Sequence, residues 1–358
     1  MAADGGTLCH MQKQTATTVK VIAVLAAIVI VAGAGWFAYQ RSAGARGEPD
    51  AAGSVAFDSA KAEAELDALS QKVNNAMTSD QVTAALVDEV QGLVQRYPRY
   101  APARVLFGQV LAQEGDAQRA YEQLAASLEL DPRQVQVHVL AGTLAEVIGK
   151  LDRAGWHYSQ AISLEPGDAT HRLRLANVYF QQQDYDTARR QALDALRLNS
   201  EEHRAYALLA DIFAKQNKLE LALQETVKAI EHTPADDRTA LVIYTRKRGI
   251  LLRRANRPAE ALQVLMGLFP AERRQDEVMA DLATCWMMLG QPVNAAGVYE
   301  EALKIDPTAW RWVADAAQWR IKAGDLAGAQ EHLKTIRLLN PRAPVIAELQ
   351  EQLAQAGQ

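Results

Sequence analysis

The sequence predicts an all-α chain, a right-handed solenoid of stacked helix–turn–helix units that follows a single apolar N-terminal span. Three observations carry this expectation. Pro98, Pro132 and Pro166 recur every 34 residues, as do Gly108, Gly142 and Ala176, and Ala120, Ala154, Ala188 and Ala222. A period of that length is one pair of antiparallel helices in a stacked array. The composition is 49% hydrophobic but 6% aromatic, which suits close helix packing on Ala and Leu. Residues 19–39 carry one charge, Lys20, at their edge.

Charge narrows the partners. The net charge is −5, and beyond residue 47 there are 34 basic and 42 acidic residues. An acidic array of this kind argues against nucleic acid as a partner. Cys9 and Cys285 lie on either side of the apolar span, and no paired-Cys metal spacing occurs. Cys285 falls on a core position. His138, His157 and His171 share no metal-ligand spacing, and no zinc-protease motif, phosphate-cradling Gly loop or nucleophile elbow is present. The expectation is therefore no enzyme, no cofactor and no metal.

Taken in order, residues 1–18 form a tail. Residues 19–39 would span about 31 Å as a helix, the thickness of a bilayer core, with Trp36 and Tyr39 at the far interface. This reads as a transmembrane signal anchor. A cleavable signal peptide with small residues at Ala32 and Ala34 is the alternative. Lys13 and Lys20 balance Arg41 and Arg46, and the short leader tips the orientation to N-inside, with the repeats non-cytoplasmic, in a periplasm if the source is bacterial. Residues 40–58, rich in Gly, Ala and Ser, read as a flexible linker.

Residues 59–100 read as a degenerate capping helix pair, since Asn74 and Met77 stand where small and aromatic residues belong. Four repeats follow over 101–236. Residues 135–168 are representative, with Ala141-Gly142 in the first helix, Ala154, Tyr158 and Ala161 in the second, and Pro166 at its end. The small residues allow close helix approach, and Pro stops the second helix. Ser200 replaces Pro in the third repeat. The register then slips by five residues, a candidate break after Asp236, and three further repeats fill 237–343. In the fifth, Arg248 takes the usual Leu position. Residues 344–358 form an amphipathic capping helix with Val345, Ile346, Leu349 and Leu353 on one stripe.

These spaced residues resemble the tetratricopeptide repeat, here as a membrane-anchored member, over residues 67–358. The resemblance implies a protein-binding scaffold whose first helices line a concave groove. Projected onto those helices, Arg174, Asn177, Arg204, Lys215, Arg246, Lys247 and Arg253 form a basic stretch suited to an acidic segment or C-terminal carboxylate of a protein or peptide partner. The alternative is a solvated basic face. The carboxylate clamp some members use against chaperone C-termini is not matched, because Leu173 and Leu208 replace its polar residues. Trp286, Trp310, Trp312 and Trp319 read as packing between repeats, with Trp312 the candidate aromatic contact for a partner. The implied role is a membrane-tethered scaffold in envelope assembly, secretion or complex maturation. A non-catalytic regulatory subunit of a membrane enzyme complex and a self-associating structural protein are the alternatives.

Overall fold

The structure is a computed structural model and describes residues 59–78, 82–268 and 270–357. Its described residues form α-helices and no strand, in two compact units that divide after Leu198. The division falls one repeat before the register slip, next to Ser200, the residue that replaces the helix-ending Pro.

The first unit contains α1 (Ser59–Thr78), α2 (Ala84–Arg96), α3 (Ala101–Gln113), α4 (Ala117–Leu130), α5 (Val135–Val147), α6 (Leu151–Leu164), α7 (Ala169–Gln181) and α8 (Tyr185–Leu198). Helices α3/α4, α5/α6 and α7/α8 are the packed pairs, and α1 and α2 pack against α3. Leu66, Val90, Leu93, Phe107, Leu111 and Leu124 join these first pairs in one core.

The second unit contains α9 (His203–Lys215), α10 (Leu219–Glu231), α11 (Arg238–Arg254), α12 (Pro258–Met266), the single turn α13 (Pro270–Arg273), α14 (Asp276–Met288), α15 (Pro292–Leu303), α16 (Trp310–Lys322), α17 (Leu326–Leu339) and α18 (Val345–Ala356). The register slip is taken up by α11, which has 17 residues where α9, α14 and α16 have 13 each. Its partner α12 has only 9. The shortened helix borders a hollow of about 420 Å³ lined in part by Thr245, Arg248 and Val264. At the end of the unit, α18 seats Leu349 on Val313, Leu333 and Ile336.

The turns inside the pairs repeat as strictly as the helices. A left-handed residue follows each first helix at Gly115, Gly149, Gln183, Asn217, Asn256, Gly290 and Gly324. The residue after it donates its amide N–H back across the turn, as in Asp116 to the Leu111 carbonyl (2.9 Å) and Asp184 to the Tyr179 carbonyl (2.9 Å). This satisfies carbonyls that the helix end would leave orphaned. The second helix is then capped by a side chain where one is present: Asp116 accepts from the Arg119 amide and Asp325 from the Gly328 amide.

In three of the pairs the helices approach until no side chain fits at one position. A Cβ on Gly142 would lie 2.7 Å from the Tyr158 ring, and one on Gly108 would lie 2.8 Å from Leu124. Gly249 is equally confined by Leu265, at 3.0 Å.

One sequence expectation is corrected. No helix among the described residues is long and apolar enough to cross a membrane, against the expected single-pass membrane protein with non-cytoplasmic repeats. The longest described helix, α1, carries Lys61, Glu63, Glu65, Asp67 and Lys72 along its length, and such charges oppose burial in hydrocarbon. The expected span itself, residues 19–39, lies outside the described residues, as do the tail and the linker to residue 58.

Two substitutions test this packing by urea unfolding. Gly142→Ala forces a methyl into the Tyr158 ring and is expected to lower stability by about 1–3 kcal/mol. Gln183→Gly removes a side chain from a left-handed position and is expected to raise stability by about 0.5–1 kcal/mol, the strain relieved less the added chain entropy.

Candidate functional site

The first helix of each pair carries the residues singled out for a partner. In the first unit, α7 places Arg174 half-buried and Asn177 exposed one turn later. The Asn177 amide donates to the Leu173 carbonyl at 3.0 Å. Arg174 makes no ion pair with a described residue, and its Nε is buried without a hydrogen-bond acceptor. The unsatisfied buried N–H costs free energy, and the guanidinium charge is left without a described counter-ion.

In the second unit most of the expected cations are already engaged. On α9, Arg204 grips Glu202 through two hydrogen bonds of 2.6 and 2.9 Å. Burial alone would raise the Glu202 carboxyl, but the Arg204 guanidinium outweighs it and holds the carboxyl below its ordinary value. Lys215, at the end of α9, is exposed and pairs with no described residue. The α11 cations staple that long helix to its neighbours on both sides. Lys247 reaches Asp211 of α9 at 2.7 Å. Arg246 and Arg253 share Asp281 of α14, at 3.2 and 2.7 Å, and Arg246 also reaches Glu277 at 2.7 Å. The basic residues thus fall at the slip because the long α11 is fixed there by charge, a role the periodic pattern does not reveal.

The tryptophans pack and bind at once. Trp286, Trp312 and Trp319 lie against a core formed by Met279, Ala283, Tyr299 and Ala316. Trp310 packs on Val313 and its neighbours and carries the Arg311 guanidinium 5.5 Å above its ring. Trp312 also donates its indole N–H to Asp276 Oδ1 at 2.6 Å, bridging α16 to the start of α14. Lys322 sits 4.1 Å over the Trp319 ring.

Two groupings escaped the sequence reading. Glu165, Asp168 and His171 gather three ligand-type atoms within 4.8 Å at the turn before α7, with His171 Nε2 at 3.4 Å from Glu165. The arrangement serves as an ion pair whenever the imidazole is protonated. His138 on α5 and His157 on α6, 19 residues apart, meet through their Nδ1 atoms at 3.2 Å, and both are buried.

The direction of that second contact follows from its ends. The Pro132 carbonyl, 3.1 Å from His138 Nε2, accepts only, so His138 Nε2 carries the proton and its Nδ1 is an acceptor. His157 Nδ1–H therefore donates to His138, and the Tyr121 hydroxyl donates to His157 Nε2 at 3.4 Å. Every site in this chain is filled with both imidazoles neutral. Burial lowers both, and His157 falls to about 4, helped by the neighbouring His138 and Arg153.

The sign of the resulting pH dependence is set by these depressed values. The fold favours neutral imidazole, so the stability it derives is complete above the unfolded value near 6.5. It is lost as pH falls from there toward about 4. Urea midpoints measured from pH 7 to pH 4 are expected to decline through this window, and a His157→Phe variant is expected to decline less.

Residues 173–237 and 287–353 each match a family model described as tetratricopeptide repeat. No curated protein matches the chain. Among solved structures, the chain is similar to a tetratricopeptide repeat protein from Parabacteroides merdae, at 17% identity and a TM-score of 0.48, covering 71% of this chain and 98% of that one. It is similar to PilF of Pseudomonas aeruginosa, at 16% identity and a TM-score of 0.48, covering 63% and 99% respectively. MamA is similar over 44% of this chain and 92% of its own, at 18% identity and a TM-score of 0.42. Tetratricopeptide repeats therefore occupy residues 173–237 and 287–353 of this chain, and the same left-handed turn recurs from Gly115 to Gly324.

Proposed function

We propose that this repeat protein is a non-catalytic scaffold that holds a segment of a partner protein against the first helices of its pairs. Protein–protein interaction is the general role of such repeats, which offer extended surfaces rather than clustered reactive groups. The observation that supports a specific site is Arg174, a half-buried guanidinium with an unsatisfied Nε beside exposed Asn177 on α7. An acidic side chain or a C-terminal carboxylate pairs with the guanidinium charge.

The remaining cations of the expected stretch contribute unequally to that reading. Lys215 is free to meet an acidic group in the second unit. Arg204, Arg246, Lys247 and Arg253 would have to leave Glu202, Glu277, Asp211 and Asp281 to do so. Exchange of one carboxylate for another gains little free energy, so these four act mainly on the fold.

The test is fluorescence anisotropy with synthetic acidic peptides, each made with a free and an amidated C-terminus. Arg174→Gln is expected to weaken capture by about ten-fold, the loss of one charge-assisted contact. A preference for the free terminus identifies the C-terminal carboxylate as the group held. Equal binding by Arg174→Gln and the parent chain would rule out this site.

A further inference from the structure

We propose that Asp315, flanked by the indoles of Trp312 and Trp319 on α16, anchors an arginine or lysine side chain of a bound protein segment. The inference rests on the peptide-holding role proposed above and names a second chemistry for it, in the second unit.

The first ground is an unbalanced charge. In this unit several buried or half-buried carboxylates near the first helices have cations: Glu202 has Arg204, Asp211 has Lys247, Asp281 has Arg246 and Arg253, and Glu300 has Arg320 and His332. Asp315 is half-buried, and no described cation pairs with it. Its charged neighbour is another acid, Asp276. Burial raises the Asp315 carboxyl and Asp276 raises it further, to about 6. At neutral pH the group is ionised at a cost to the fold, and an incoming cation removes that cost.

The second ground is the aromatic setting. Trp312 and Trp319 stand three residues before and four after Asp315, so all three share one face of α16. Trp312 is held in place by its hydrogen bond to Asp276 and by packing beside Tyr299. Trp319 already carries a cation, since Lys322 lies over its ring and not on Asp315. A carboxylate with indoles on either side suits a guanidinium or ammonium group, which pairs with the charge and lies against the rings. Phosphate groups are disfavoured by Asp276 and Asp315 together, and an apolar side chain would leave the carboxylate uncompensated.

The test begins with selection of a displayed random-peptide library on the purified full chain, followed by anisotropy with the selected peptides. The selected sequences are expected to carry Arg or Lys. Replacing that residue by citrulline or norleucine is expected to weaken binding about ten-fold or more, and Asp315→Asn should produce the same loss. The two changes combined should cost no more than either alone. Asp315→Asn should melt no lower than the parent chain at pH 7, because it removes an uncompensated charge.

Peptides that bind but are indifferent to their own charge and to Asp315→Asn overturn the anchor and leave the peptide-holding role standing. A selection that yields only acidic peptides, lost on Arg174→Gln, does the same. A failure to select any peptide overturns both. An Asp315→Asn effect confined to self-association in light scattering overturns the anchor alone and assigns the face to a second copy of this chain.

Discussion

The approach of two helix backbones at one small residue governs this molecule. At Gly142 the Tyr158 ring occupies the space a Cβ would need, and at Gly108 and Gly249 the buried Leu124 and Leu265 do the same. Ala176, Ala210, Ala283 and Ala317 take the corresponding places in other pairs and are all but inaccessible to solvent. Close approach at that point requires a short reversal between the helices. The left-handed residue and its back-donated amide supply one, at Gly115 and at each equivalent turn. Ala along the second helices keeps the pairs thin enough to stack, and the interior is built from many modest side chains instead of a few large ones.

A consequence of this economy is that the first helices retain a face that packing does not consume. Charges are free to occupy it, and the structure divides them by use. Around α11, where the register shifts, Arg246, Lys247 and Arg253 are tied to carboxylates on α9 and α14. Beyond its first turn, α11 is held to α14 by the pairs of Arg246 and Arg253 with Asp281, whose side chain is little exposed. Such pairs are strongly directional, since breaking one strands its partner in a poorly solvated place. The unpaired charges, Arg174 in the first unit and Asp315 in the second, lie on regular first helices where packing asks nothing of them.

The buried imidazole pair illustrates a different use of polar groups. Tyr121, His157, His138 and the Pro132 carbonyl form a directed chain in which each donor has one acceptor. It specifies how α4, α5 and α6 fit together more narrowly than aliphatic packing would. Its cost is confined to acid conditions, because only protonation gives the chain a donor with nowhere to go.

Much of the architecture was legible in the sequence because it is local. The recurrence of Pro, Gly and Ala states the helix-pair period, and the interval between Asn217 and Asn256 records the five-residue slip at the same turn position. Gln183 is harder to read, since a left-handed conformation at Gln is visible only once the neighbouring turns are aligned. The apolar run at 19–39 suggested a membrane span by composition alone, and no described helix repeats that character. The site was legible in residue identity and not in state. Sequence placed Arg174, Arg246 and Arg253 on the same kind of helix face and ranked them alike. Asp281, 35 residues from Arg246 and 28 from Arg253, made the difference. Pairings of this sort, like His138 with His157 or Trp312 with Asp276, depend on side-chain reach and on exclusion of water between separate helices. The sequence by itself determined the repeat, its turns and its interruption, which follow from backbone sterics within one helix pair. The tertiary structure alone decided which charges are paired within the fold and which are not, because desolvation and distance between helices set that balance.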